Sequence, residues 1–204
     1  MPSYSYRTIK SPSQGSFKEK GSRFLSFAYP VDTDGAIQIH LDQIRREYFD
    51  ARHHCYAWML GPEKKQFKAV DDGEPGHSAG DPILGQIRSH DLTQILIVVV
   101  RYFGGIKLGV GGLIKAYREA AADAIRNASI IEEEVVVNGT LTYPFDKTSD
   151  VMRMIKDFQV QLIEQSYNTN CVLTIGVPLR NQLLLLDRIS QLNIPKHCVE
   201  FVKH

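Results

Sequence analysis

The chain has 204 residues, 43% of them hydrophobic, and a formal net charge of +1, which suits one large domain or two small ones with a real core. No apolar run approaches the roughly 18 residues of a membrane span, so none is expected. Residues 1–132 carry 17 basic and 15 acidic side chains and residues 133–204 carry 7 and 8, so neither half is a polybasic module and a nucleic-acid partner would need a local basic patch.

Met1–Lys10 lacks a basic region followed by an apolar core and does not read as a secretory signal. Cys55, Cys171 and Cys198 are widely spaced with no CxxC, as expected of reduced thiols in a cytoplasmic protein. Residues 1–20 read as short strands and turns around a polar stretch, Ser11–Ser16. Arg23–Val31 is a predicted strand, and Thr33 or Asp34 caps a helix to about Tyr48 with Ile37, Leu41, Ile44 and Phe49 at helical spacing. His53–Leu60 is strand-like, Gly61–Lys68 a turn or hairpin tip, and Val70–Gly80 a polar loop. Ser78, with Asp81 three residues on, predicts a capping box for a second helix to about His90. Gln94–Tyr102 is continuously apolar and β-branched over Ile95–Val100, as a strand covered on both faces should be. A glycine-rich turn over Gly104–Gly112 then leads into an amphipathic helix, Gly111–Ala128.

After an acidic joint at Glu132–Glu134, the order is strand Val135–Tyr143, helix Thr148–Phe158, strands Val160–Ser166 and Cys171–Pro178, helix Leu179–Leu192 and strand His197–Lys203. This is the β-α-β-β-α-β pattern of a ferredoxin-like domain. The expected organisation is therefore α+β in two domains, 1–132 and 133–204.

Three segments of the first domain hold the chemistry. In Arg101–Tyr117 a buried strand ends, five glycines follow, and a helix begins. Free N–H groups at a helix start attract anions, and glycine admits a phosphate close to the backbone. Arg101, Gly104, Gly105, Lys107, Gly109, Gly111, Gly112 and Lys115 are thus candidates for contact with an anion or RNA phosphate, with Arg118 nearby. Neither GxxxxGK[ST] nor GxGxxG is present, so a purely structural turn is the equal alternative. Val70–Pro82 concentrates Asp71, Asp72, Glu74 and His77 in one glycine-proline turn. It has no EF-hand or HExxH spacing, so no metal is expected, and acid–base or structural roles remain open. In Ala51–Trp58, His53, Cys55 and Ala57 share one strand face and His54, Tyr56 and Trp58 the other. His54 is a polar candidate. Cys55 reads better as a buried thiol than as a nucleophile, because nothing marks an orienting third group.

Together, ARHHCYAW, DDGEPGHSAGDP and VVVRYFGGIKLGVGGLIKAY, with the earlier Lys20-Gly21-Ser22-Arg23-Phe24, closely resemble the IMPACT family and its bacterial YigZ-type members. One position departs: that family often has a small residue where His77 stands, so no catalytic role is carried over to it. For residues 1–132 the resemblance implies the fold of ribosomal protein S-five domain two, shared with elongation factor G domain IV and GHMP-type kinases, with an uncommon left-handed βαβ crossover. For residues 133–204 it implies likeness to elongation factor G domain V. The family's eukaryotic members regulate translation by restraining activation of an initiation-factor kinase. By analogy the expected function is a non-enzymatic module contacting RNA or the ribosome. A protein–protein regulator and a phosphate- or nucleotide-binding enzyme are the alternatives. No catalytic residue, metal or cofactor is assigned, and no membrane contact is expected.

Overall fold

The computed structural model describes residues 4–167, 169–195 and 198–201. The chain divides into two units, one formed by Tyr6–Glu133 and one taking the chain from Glu134 on with Tyr4 and Ser5. Among the described residues no helix is long and apolar enough to cross a membrane.

The first unit contains β1 (Ser5–Ile9), β2 (Ser13–Glu19), β3 (Ser22–Pro30), α1 (Asp34–Glu47), β4 (His53–Leu60), β5 (Gln66–Val70), α2 (Gly80–Ser89), β6 (Ile95–Tyr102), α3 (Gly109–Arg126) and β7 (Ile130–Glu134). Five strands form one sheet in the order β2-β3-β6-β4-β5, and β1 pairs with β7. β6 runs antiparallel to both β3 and β4. Those two strands are therefore parallel to each other, and α1 joins them as a crossover past β6.

The continuous apolar run of β6 follows from its place. Ile95, Ile97 and Val99 pack with residues of α2 and α3 on one face. Leu96, Val98 and Val100 pack with Ile37, Leu41 and Ile44 of α1 on the other. Thr33 caps α1 by accepting from the Ala36 N–H at 3.3 Å. Phe49 falls beyond that helix and is exposed, unlike the three apolar positions before it. The segment after Gly61 holds a strand, β5, where the sequence suggested a turn or hairpin tip: its residues are mostly exposed and it stands at the sheet edge, paired with β4.

The second unit runs β8 (Val136–Tyr143), α4 (Thr148–Asp157), β9 (Gln161–Tyr167), β10 (Cys171–Pro178), α5 (Gln182–Gln191) and β11 (Val199–Phe201), with a 3-10 turn before each helix. Its antiparallel sheet has the order β11-β8-β10-β9. Leu141, Tyr143, Leu173, Ile175 and Val177 of the sheet meet Val151, Met154, Leu185 and Ile189 of the helices in its core. Of the strand expected over His197–Lys203, Val199–Phe201 is strand, while His197 and Lys203 lie outside the described residues.

Candidate functional site

The register of the sheet assembles the site. β4 begins where β6 ends, with His53 opposite Arg101. On the other side of β6, Phe24 of β3 is opposite Arg101. β5 returns beside β4 and delivers the loop 71–79 to this same end of the sheet. α3 starts a few residues after β6. The three chemistry-bearing segments therefore converge at one end of the first unit.

Their innermost contact is a buried ion pair. Arg101 Nη1 donates to Glu74 Oε1 at 2.6 Å, with side chains only 8% and 4% exposed. The Tyr117 hydroxyl, from the third turn of α3, donates to the same oxygen at 2.8 Å. Cys55 Sγ lies 3.3 Å from that hydroxyl and 2.9 Å from the Asp71 carbonyl oxygen. A buried charge pair is tolerated when further hydrogen bonds satisfy it. Burial, then the neighbouring thiol and carboxylate, push the Tyr117 hydroxyl far above its ordinary range, so it stays a proton donor. Burial likewise pushes the Cys55 thiol far up, and a thiol held protonated is a poor nucleophile. By its spacing Tyr117 falls in the buried stripe of α3 with Leu113, Ala120, Ala121 and Ala124. A lone tyrosine among the alanines of that stripe was the available signal for a buried polar partner.

The loop carboxylates are also used internally. Asp71 Oδ1 accepts from the Ala79 and Gly80 N–H groups at 2.9 and 2.8 Å, and Oδ2 accepts from the His77 N–H at 2.8 Å. The Ala79 and Gly80 groups are free donors at the start of α2. The expected capping box is therefore corrected: Ser78 Oγ donates instead to the Pro75 carbonyl, and the cap comes from a residue well upstream. Burial raises the Asp71 carboxyl, but the three backbone donors outweigh it and hold it below the usual range. Asp72 Oδ2 accepts from the His54 N–H at 2.7 Å, and its carbonyl accepts from His53 Nδ1 at 2.8 Å. His54 Nε2 donates to the Tyr48 carbonyl at 3.1 Å. His77 stands apart, exposed and bonded through Nδ1 to Asp81 at 2.7 Å, a pairing that raises its pKa. Among the described residues, no three His, Cys, Asp or Glu side chains come together as metal ligands.

The glycine turn divides in two. Gly104 belongs to the framework: a Cβ there would lie 1.9 Å from the Gly21 carbonyl carbon and 2.2 Å from the Ser22 nitrogen, so only glycine permits this backbone contact. Its N–H donates to Ser22 Oγ at 3.1 Å. From Gly105 onward the turn opens. Gly105 has φ +87° and nothing within 4 Å of its would-be Cβ. Gly105, Lys107, Gly109, Gly111 and Lys115 are exposed, and Gly112 is half-buried against Leu108. α3 begins at Gly109, two residues earlier than the pattern suggested, with no side-chain cap and no acidic residue in its first turn. Phe103, Ile106 and Val110 are all more than half exposed beside it.

This architecture is that of a two-unit mixed α/β protein whose first unit gathers a buried Glu–Arg–Tyr cluster beneath an open glycine turn. The model of the Impact N-terminal domain matches residues 20–125. The IMPACT family member YigZ of Escherichia coli (strain K12) is 33% identical over 161 residues, 78% of this chain and 79% of that protein. YvyE of Bacillus subtilis (strain 168) is 30% identical over 167 residues, 82% and 77% of the two chains. The chain belongs to the IMPACT family. Protein IMPACT homolog of Dictyostelium discoideum is 35% identical over 98 residues, which span 46% of this chain and 28% of that one. A crystal structure described only as that of a hypothetical protein is similar with a TM-score of 0.76 and 27% identity, over 100% of this chain and 98% of the other.

Proposed function

We propose that the chain is a non-enzymatic binding module that contacts RNA or the ribosome in a translation-linked, cytoplasmic role, through the open part of the glycine turn. The observation that carries this reading is a division of labour. Arg101, Glu74, Asp71, Asp72 and His54 bind one another or the backbone, whereas Gly105–Lys115 leaves an uncapped helix start beside exposed Lys107 and Lys115. Backbone N–H groups and lysines together suit phosphate oxygens. Membership of a family whose eukaryotic members regulate translation gives the reading its setting. In the same reading, residues 1–132 form an Impact N-terminal-type domain of the ribosomal-protein-S-five-domain-two kind, its β3-α1-β4 crossover left-handed. Residues 133–204 form a ferredoxin-like domain akin to domain V of elongation factor G, which the strand order β11-β8-β10-β9 supports.

The test is binding of the purified protein to ribosomes and to structured RNA across a salt series. Affinity should fall steeply with salt, and Lys107→Ala with Lys115→Ala should flatten the log–log slope by about 2. Absence of any salt-dependent binding would sink the reading. A protein partner is a second reading, favoured by the exposure of Phe103, Ile106 and Val110 together; capture that survives high salt separates it from phosphate contact.

A further inference from the structure

The open turn carries an aromatic ring that phosphate contact alone does not use. Phe103 is 55% exposed, directly after the buried strand β6. The Arg101 guanidinium lies against it, with Cζ 5.7 Å from the Phe103 centroid and 5.5 Å from that of buried Phe24. Phe24 in turn meets Tyr117 edge-on, with centroids 5.1 Å apart. The order outward from the core is therefore Tyr117, Phe24, Arg101, Phe103, then solvent.

The groups around this ring are anchored. Its neighbour below, Arg101, is fixed by Glu74 at 2.6 Å. Its neighbours along the chain are fixed too: the Tyr102 hydroxyl donates to Asp50 at 2.7 Å, and Gly104 abuts Gly21. A platform ordered before binding loses little freedom on binding. Residues 101–118 contain Arg101, Lys107, Lys115 and Arg118 and no Asp or Glu, and the carboxylates that reach this segment, Glu74 and Asp50, are bonded to Arg101 and Tyr102. The hairpin tip that abuts Gly104 adds exposed Lys20 and Arg23.

A half-exposed aromatic ring seated on a buried guanidinium, in a segment with exposed lysines, is an arrangement that can receive an unpaired base while its phosphates meet cations. We infer that Phe103 is a stacking platform for one unpaired base of a single-stranded RNA segment, with Lys107 and Lys20 on the flanking phosphates. This rests on the RNA-contact reading above and narrows it from RNA in general to an unpaired strand. An apolar protein partner would use the same ring through shape rather than stacking, and one substitution distinguishes the two.

The experiment is fluorescence anisotropy with labelled single-stranded oligouridylate and oligoadenylate of about twelve nucleotides, beside an RNA duplex of equal length. Wild type, Phe103→Ala, Phe103→Leu, Phe103→Trp and Lys107→Ala are compared after thermal unfolding confirms each is folded. Loss of the ring should weaken single-strand binding roughly five- to a hundredfold. Phe103→Leu should lose as much as Phe103→Ala, Phe103→Trp should bind at least as tightly as wild type, and duplex affinity should not change. Wild-type affinity in Phe103→Leu overturns the stacking assignment, because an apolar contact would then suffice. Unchanged affinity in Phe103→Ala, with weakened binding in Lys107→Ala, overturns it while leaving the RNA-contact reading intact. No binding of these RNAs by wild type overturns the stacking assignment, and no binding of ribosomes or structured RNA either overturns both.

Discussion

The loop 71–79 and the turn 103–112 lie at the same end of the sheet, and both look functional in sequence. They differ in where their polar groups point. The loop has three carboxylates, and all three are consumed: Asp71 on α2, Asp72 on β4, and Glu74 on Arg101 and Tyr117. The turn has almost no hydrogen-bonding side chains, yet it leaves backbone donors and Lys107 open, with Lys115 exposed just beyond it. The lesson is that a dense run of ionisable residues can be a fastening, while a run of glycines beside it is the exposed face.

The comparison breaks most readily at Glu74. If the loop is a fastening, Glu74→Ala leaves Arg101 charged and buried, and urea unfolding should show a loss of about 3–5 kcal/mol. Glu74→Met with Arg101→Met should recover much of that loss, since an apolar replacement removes both charges. A near-neutral Glu74→Ala would mean that the pair is not structural. The next largest effect is expected at Gly104→Ala, whose Cβ must separate two backbones; about 1–3 kcal/mol should be lost in the same assay.

Asp71→Ala removes a helix cap and should cost about 1–2 kcal/mol, with faster amide exchange in the first turn of α2. The sign of its pH dependence is fixed. The folded carboxyl titrates below its unfolded value, so the stabilisation is full above the unfolded value. It is lost as pH falls below about 4 and through the folded value. An Asp71→Ala variant should therefore lose less stability than wild type between neutral pH and acid. The smallest effect sharpens the other side. Lys107→Ala with Lys115→Ala should move the unfolding free energy by less than about 0.5 kcal/mol, because both side chains are exposed. A large loss there would mean that the turn is a fastening as well.

Much of the framework was legible because period and burial agree. β4 and β10 have the expected bounds, His53–Leu60 and Cys171–Pro178, since aromatic residues mark the first and β-branched ones the second. Thr33 caps α1 because that signal is local. β5 was not legible, because an exposed edge strand carries little apolar pattern. The cap of α2 was misplaced for a related reason: capping rules look within a few residues, and the loop folds back to bring Asp71 from eight residues before Ala79. The Glu74–Arg101–Tyr117 cluster joins residues 27 and 43 positions apart. Sequence named the three segments but could not tell which polar groups would be spent on one another. Exposure decides that, and exposure depends on the tertiary fold.

The contact between Gly21 and Gly104 has a practical corollary for handling the molecule. Lys20-Gly21 is a short hairpin tip, the sort of place usually chosen to graft a tag, open a permuted chain or expect a protease nick. Here the tip abuts the start of the open turn, with no room for even a methyl group between them. An insertion there would pry apart the surface it was meant to leave alone.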